Sequence, residues 1–120
     1  MELNVLGTSL QPCCCEPMTG YYRDGLCRTN TEDTGTHIIC AIVTSEFLAY
    51  TKSKGNDLST PLPYWNFPGL RPGDKWCLCI SRWLQAEKDG KAPPIVLESC
   101  HKKALTYTDI ETLLAHKHTF

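Results

Sequence analysis

Residues 37–43 read HIICAIV and give the strongest indication of the fold. It is almost entirely apolar, rich in β-branched side chains, and free of Pro and Gly. A run of this length and composition is typical of a central strand that is covered on both faces. Thr44 or Ser45 then caps a helix that extends to Lys54, where Gly55 supplies a left-handed stop. The stretch therefore predicts a buried strand followed by a helix.

Two further strands and two further helices are predicted downstream. Residues 75–80 form a second strand candidate, a short helix follows over residues 82–89, and a third strand covers residues 95–99. Residues 108–111 read as a capping box that opens a last helix. The strand–helix–strand unit over residues 75–99 is just long enough for a parallel, right-handed crossover.

The predicted fold class is α+β, with a single compact two-layer domain over residues 1–120. Its small sheet includes the strand–helix–strand crossover. Residues 3–36 are rich in turn formers and predict a loop-rich N-terminal third. Residues 37–101 form the α/β core, and residues 108–117 form the C-terminal helix.

Length, charge and hydropathy exclude several function classes. The chain has 120 residues and a formal net charge of −1, which argues against nucleic acid as a partner. Since no apolar run approaches about 18 residues, no transmembrane helix and no membrane partner are expected. The N-terminal stretch lacks the basic and apolar regions of a secretory signal, so a cytoplasmic location is expected. The oligomeric state is left open.

Cysteine is the unusual component of the composition. The chain contains eight: Cys13, Cys14, Cys15, Cys27, Cys40, Cys77, Cys79 and Cys100. In a secreted protein this even count would suggest four bridges, but a cytoplasmic chain keeps its thiols reduced. Reduced thiols serve as small buried hydrophobes, as nucleophiles or as metal ligands.

The strand cysteines are the sharpest candidates for a site. Cys77 and Cys79 share one face of a strand, with α-carbons roughly 6.5–7 Å apart, so a disulfide between them is disfavoured. Cys40 is their natural cross-strand partner, and Cys27 or Cys13 completes the set. His37 points away from Cys40 if the first strand is regular. These thiols predict a metal site, with zinc as the default and copper(I) as an alternative, or simple core packing.

Polar loops and strand ends supply further candidates. The loop at residues 56–61 concentrates hydrogen-bonding groups, and the turn at residues 22–25 pairs a cation with an anion. At the carboxyl ends of parallel strands, His101 would meet Arg82 and Asp57 in one cleft. The ligand-binding candidates are Arg23, Asp24, Asn56, Asp57, Ser59, Thr60 and Arg82.

Five motifs together resemble one known family. They read NVLG (4–7), TGYYRDG (19–25), GNDLSTP (55–61), FPGLRPGDKWCLC (67–79) and APPIVLE (92–98). In this order and spacing the chain is similar to the small, mainly bacterial family called domain of unknown function 2237. The resemblance runs from Asn4 to His101 and implies a compact cytosolic α/β domain, with no activity to transfer. The chain departs from the family pattern at Cys14, Cys15 and Cys100.

Three functions therefore stay open. The first is a reduced-thiol domain that binds a metal ion or a small ligand through its strand cysteines. The second is a small enzyme in which Cys77 or Cys79 acts as a thiolate with His101 and Asp57. The third is an interaction module with packed cysteines, whose contact surface is the aromatic loop at residues 64–67.

Overall fold

The computed structural model describes residues 2–13, 19–20, 22–33, 35–65 and 67–118. The regular elements are strand β1 (His37–Ile42), helix α1 (Ser45–Ser53), strand β2 (Lys75–Cys79), helix α2 (Ile80–Lys88) and helix α3 (Ile110–Ala115). Short 3₁₀ turns cover Pro63–Trp65, Leu97–Ser99 and Lys102–Thr106. The predicted α+β class is confirmed.

Strands β1 and β2 pair antiparallel, with Cys40 directly opposite Cys77. The register shifts between His37 and Ile39, so β1 is irregular near its N-terminal end. Beyond it, His37 lies opposite Cys79. Because a bulge changes which face a side chain takes, the regular-strand alternation expected for His37 does not apply.

The predicted third strand is wrong, and with it the parallel crossover. Residues 94–96 do run along the free edge of β1: Ile42 donates its N–H to the carbonyl of Pro94, and Val96 donates to Cys40, at 2.8 and 2.9 Å. The bridge between Ala41 and Ile95 is antiparallel, and the 3₁₀ turn that follows it ends the extended conformation. Strand β1 is therefore central, as expected, with a neighbour on each edge.

The helix ends follow the predicted chemistry with small shifts. Thr44 caps α1 by accepting from the N–H of Phe47, and Gly55 follows the helix with φ of 91°. Helix α2 begins earlier than predicted, since it follows β2 directly with Cys79 as its N-cap. Asp109, one residue after the predicted cap, accepts from Thr112 and opens α3. None of the described helices is long and apolar enough to span a membrane.

Buried polar side chains hold the loop-rich N-terminal third against the core. The amide of Asn4 is fully buried, donates to Thr8, Ser9 and Glu98, and accepts from two backbone N–H groups. Thr19 is also buried, and its hydroxyl accepts from the N–H of Cys77 at 2.7 Å. The N-terminal segment is thereby brought onto β2.

Gly20 makes the turn after Thr19 possible. Its φ of 96° is strained for other residues, and a Cβ there would lie 2.3 Å from the carbonyl oxygen of Leu26. The glycine of the TGYYRDG motif thus lets two backbone segments approach closely beside the strand cysteines.

Candidate functional site

Four cysteines form two disulfides in the structure. Cys13 is bonded to Cys40 and Cys27 to Cys77, with α-carbons 5.6 and 5.2 Å apart. All four side chains are buried. The structure differs here from the expectation of reduced thiols, because the fold brings each pair within bonding geometry.

The two bridges connect the N-terminal loops to the sheet. Cys40 and Cys77 lie opposite one another on β1 and β2, so their side chains share one face. Cys13 and Cys27 approach that face from the loop-rich third, where the N–H of Cys13 donates to the carbonyl of Gly25 at 2.6 Å. Along the chain the bridges interleave, since Cys27 lies between Cys13 and Cys40, and Cys40 lies between Cys27 and Cys77.

The four sulfurs form one cluster, here called the four-cysteine cluster. The sulfurs of Cys13, Cys27 and Cys77 all lie within 4.8 Å of one another, and Cys40 is bonded to Cys13. Of the cysteines singled out in the sequence, the cluster contains Cys40, Cys77, Cys27 and Cys13 and leaves Cys79 outside. Cys14 and Cys15 lie outside the described residues.

Among the described residues two cysteines are free, Cys79 and Cys100, and their surroundings differ. Cys100 is buried, and its Sγ accepts from the N–H of Cys40 at 3.3 Å. Burial raises the pKa of the Cys100 thiol to about 12, so it stays protonated and unreactive. Cys79 is half-buried, and its Sγ lies 3.0 Å from the Ser81 hydroxyl.

A histidine and a buried carboxylate lie beside Cys79. His37, opposite Cys79 in the register, places Nδ1 2.7 Å from Oδ1 of Asp33. Burial alone would raise the pKa of Asp33, but hydrogen bonds from His37 and Thr29 lower it below the usual value. Sequence reasoning missed this arrangement, because it depends on the irregularity in β1. The one available signal was an Asp four residues before a His at the start of a strand.

In the candidate loop after α1, Asp57 forms its hydrogen bonds with other residues of the same loop. Asp57 accepts hydrogen bonds from the N–H and the hydroxyl of Ser59, at 3.0 and 2.9 Å, and from Thr60. The hydroxyl of Thr60 and the donors of Ser59 lower the pKa of Asp57 to about 2. Asn56 donates to the hydroxyl of Thr51 at 3.2 Å. These contacts fit a turn-forming role for the loop.

Asp24 in the turn at residues 22–25 forms an ion pair, but its partner is Arg28 and not the adjacent Arg23. Asp24 pairs with Arg28 at 2.7 Å. Arg23 adopts φ of 56°, donates to the carbonyl of Gly20, and places its guanidinium 5.1 Å from the centre of the Trp76 ring. Arg23 is therefore oriented towards an aromatic ring of β2.

The cleft expected between His101, Arg82 and Asp57 depended on parallel strands whose carboxyl ends meet at one edge. The two strands are antiparallel, so this reason for a shared cleft does not apply. Arg82 donates to the carbonyl of Lys54 at 3.0 Å, at the end of α1. His101 pairs through Nε2 with Glu2, and its Nδ1 accepts from the N–H of Lys103 at 3.0 Å. Each of the three candidate side chains thus takes a different partner.

The aromatic loop divides between surface and core. Tyr64 is 92% exposed, whereas Phe67 is 8% exposed and packs edge-on against Trp76 at 5.1 Å. The expectation that Phe67 belongs to a contact surface is therefore wrong. The side chain of Trp65 lies outside the described part of the chain.

Comparison with known proteins gives a match to one family model. Residues 3–117 match the model of a family described as uncharacterised protein conserved in bacteria, DUF2237. A search of the curated proteins found no match to the chain. The family description names no reaction or ligand.

Proposed function

Since the chain belongs to the bacterial DUF2237 family, whose description assigns no chemistry, we propose a function from its cysteines. The four-cysteine cluster is a redox-controlled zinc centre: the reduced chain binds one Zn²⁺ through four thiolates, and the oxidised chain closes the two disulfides. The observation that carries this proposal is the approach of the sulfurs of Cys13, Cys27 and Cys77 to within 4.8 Å of one another.

The spacing of the sulfurs suits a tetrahedral ion. With zinc–sulfur bonds of about 2.3 Å, tetrahedral geometry places neighbouring thiolates roughly 3.8 Å apart. The sulfurs of Cys27 and Cys77 are bonded to each other in a disulfide and can separate to that distance once the bond opens. Opening the bond between Cys13 and Cys40 frees Cys40 as the fourth ligand. A closed set of four thiolates is typical of a structural zinc site.

Two features favour thiolate binding by a soft ion over packing alone. Two ligands come from opposed positions of a sheet, Cys40 and Cys77, and two come from loops that hydrogen bonds hold in place. The N–H of Cys77 is already satisfied by the buried hydroxyl of Thr19. The fold therefore holds the backbone of these ligands in position before an ion binds.

The proposed switch has a reductive step, which lets zinc bind, and an oxidative step, which restores the bridges. Each disulfide takes two electrons and two protons from a dithiol reductant, which becomes a disulfide, and the four cysteines become thiols. Zn²⁺ then binds four thiolates and releases their four protons to solvent. After loss of the ion, oxidation restores the bridges: for each bridge, one disulfide of the oxidant takes two electrons and two protons and becomes two thiols.

Metal stoichiometry tests the proposal directly. The chain is reduced with a phosphine, freed of metal, exposed to Zn²⁺ or Co²⁺, and passed through a desalting column. We expect one zinc per chain, and for cobalt the intense visible bands and thiolate charge transfer of a tetrahedral sulfur site. The Cys27→Ser, Cys77→Ser double variant should lose both signals.

The free cysteines provide matched controls. Cys79→Ser and Cys100→Ala each remove a thiol from outside the cluster, so each should retain one zinc per chain. Reduced wild-type chain that binds no zinc would overturn the proposal. Retention of zinc by the double variant would do the same, because two of the four ligands are then gone.

A further inference from the structure

We propose that Cys79, His37 and Asp33 form a second site, separate from the zinc centre, in which Cys79 is the nucleophile of an acyl-transfer reaction. Cys79 lies outside the bonded pairs and is half-buried, so a small substrate can reach its sulfur. His37 is the general base and Asp33 the positioning residue. The substrate class is an activated ester or thioester.

The register brings the nucleophile and the base together. Directly opposed residues on antiparallel strands have Cβ atoms roughly 4.5–5.5 Å apart, and His37 lies opposite Cys79. The N–H of Ile80 donates to the carbonyl of Thr36 at 3.1 Å, which closes the two strands immediately beyond this pair. The Cys79 Sγ lies 3.0 Å from the Ser81 hydroxyl in this structure, and the proposed reaction requires the thiol to turn from Ser81 to the imidazole.

Asp33 is built to orient this histidine. Its side chain is 1% exposed, and it accepts from the backbone N–H of His37 and from the hydroxyl of Thr29, both at 2.9 Å. With Nδ1 of His37 held 2.7 Å from the carboxylate, that nitrogen carries the proton and Nε2 is the basic atom. A nucleophile, a base and a buried group that orients the base are the parts of a thiol active site.

Gly35 leaves the space that this imidazole occupies. A Cβ at residue 35 would lie 2.4 Å from Cε1 and 2.8 Å from Nε2 of His37. Any side chain there would displace the ring. A Gly35→Ala substitution therefore moves the base while Cys79, His37 and Asp33 all remain in the chain.

The start of α2 favours an acyl substrate. The first N–H groups of a helix have no acceptor within the helix, and within the described chain no side chain caps α2. Cys79 is its N-cap residue, so a carbonyl attacked by the thiolate would develop its negative charge beside the N–H groups of Ser81 and Arg82.

The reaction proceeds in two balanced steps. His37 takes the thiol proton, Cys79 Sγ bonds to the carbonyl carbon, and the bond to the leaving alcohol or thiol breaks as His37 returns the proton to it. Water, deprotonated by His37, then attacks the thioester. A carboxylic acid leaves, and the Cys79 thiol is restored.

The test uses 4-nitrophenyl acetate with the oxidised, metal-free full chain, so that its outcome does not depend on the zinc centre. We expect release of 4-nitrophenol, together with an acetyl group on Cys79 that mass spectrometry locates. Cys79→Ser should abolish both. His37→Gln and Gly35→Ala should slow acetylation on the order of a hundredfold, the contribution of a general base.

His101, which is paired with Glu2, gives a matched control. His101→Gln should keep the wild-type rate and the step in the rate–pH profile between about pH 5 and 8 that a histidine base produces. His37→Gln should lose that step, and Asp33→Asn should shift it. Acetylation of Cys79 at an unchanged rate in a folded His37→Gln chain would overturn the proposal, as would acetylation of lysines with Cys79 unmodified.

Discussion

Reduction of the two disulfides should destabilise the chain by an amount that follows from where the bridges lie. Cys27 and Cys77 are 50 positions apart, and Cys13 and Cys40 are 27 apart. If disulfides act by lowering the conformational entropy of the unfolded chain, these bridges stabilise the folded chain by about 4 and 3.5 kcal/mol, respectively. Because the closed loops overlap, we expect their joint effect to exceed the larger value and to fall short of the sum.

A loss of this size is most of the stability of a small domain. Native domains are stable by about 5–15 kcal/mol, so the reduced, metal-free chain should be close to unfolding. If the four thiols then bind Zn²⁺, free zinc at about a thousand times its dissociation constant should restore about 4 kcal/mol. The reductant should therefore destabilise the chain less when zinc is present than when zinc is absent.

Equilibrium urea unfolding measures these changes. Four samples are compared: oxidised, oxidised with zinc, reduced with a chelator, and reduced with zinc. In the Cys27→Ser, Cys77→Ser variant the reductant should remove only the contribution of the Cys13–Cys40 bridge. Two results would refute the reasoning: a reduced, metal-free chain as stable as the oxidised one, or a reduced chain whose stability zinc leaves unchanged.

The buried polar groups give two further predictions. Asn4→Ala should lower the free energy of unfolding by about 3 kcal/mol, because the buried donors and acceptors around Asn4 lose their partners; a loss below about 0.5 kcal/mol in urea unfolding would contradict this. Asp33 has a lowered folded-state pKa, so the stability it contributes is complete above its unfolded value of about 3.9 and is lost as the pH falls through the folded value. Thermal unfolding between pH 2 and 6 should therefore show a shallower acid loss in Asp33→Asn than in the wild type, and equal slopes would count against it.

Much of the local structure follows from the sequence. The apolar run at residues 37–43 and the candidate at residues 75–80 both contain strands, and a helix follows each strand. Helix α2 begins at Ile80, ahead of the predicted start at residue 82. The facing of Cys40 and Cys77 could also be anticipated, because alternation along a strand sets the face of each side chain. These features depend on neighbours within a few positions.

The failures concern contacts between distant segments. Residues 95–99 have the composition of a strand, but a turn places Leu97 in the core and ends the extension. The position of His37 opposite Cys79 could not be predicted, because the irregularity between His37 and Ile39 has no local signal.

The sequence alone indicates the class of the domain, the approximate positions of its helices and the presence of cysteines on its strands. Only the tertiary structure decided that the sheet is antiparallel, which cysteines meet, and which histidine faces Cys79. The physical reason is that hydrophobic pattern and capping act over a few residues, whereas eight cysteines allow 105 complete pairings. The choice among them depends on how the N-terminal loops pack against β1 and β2.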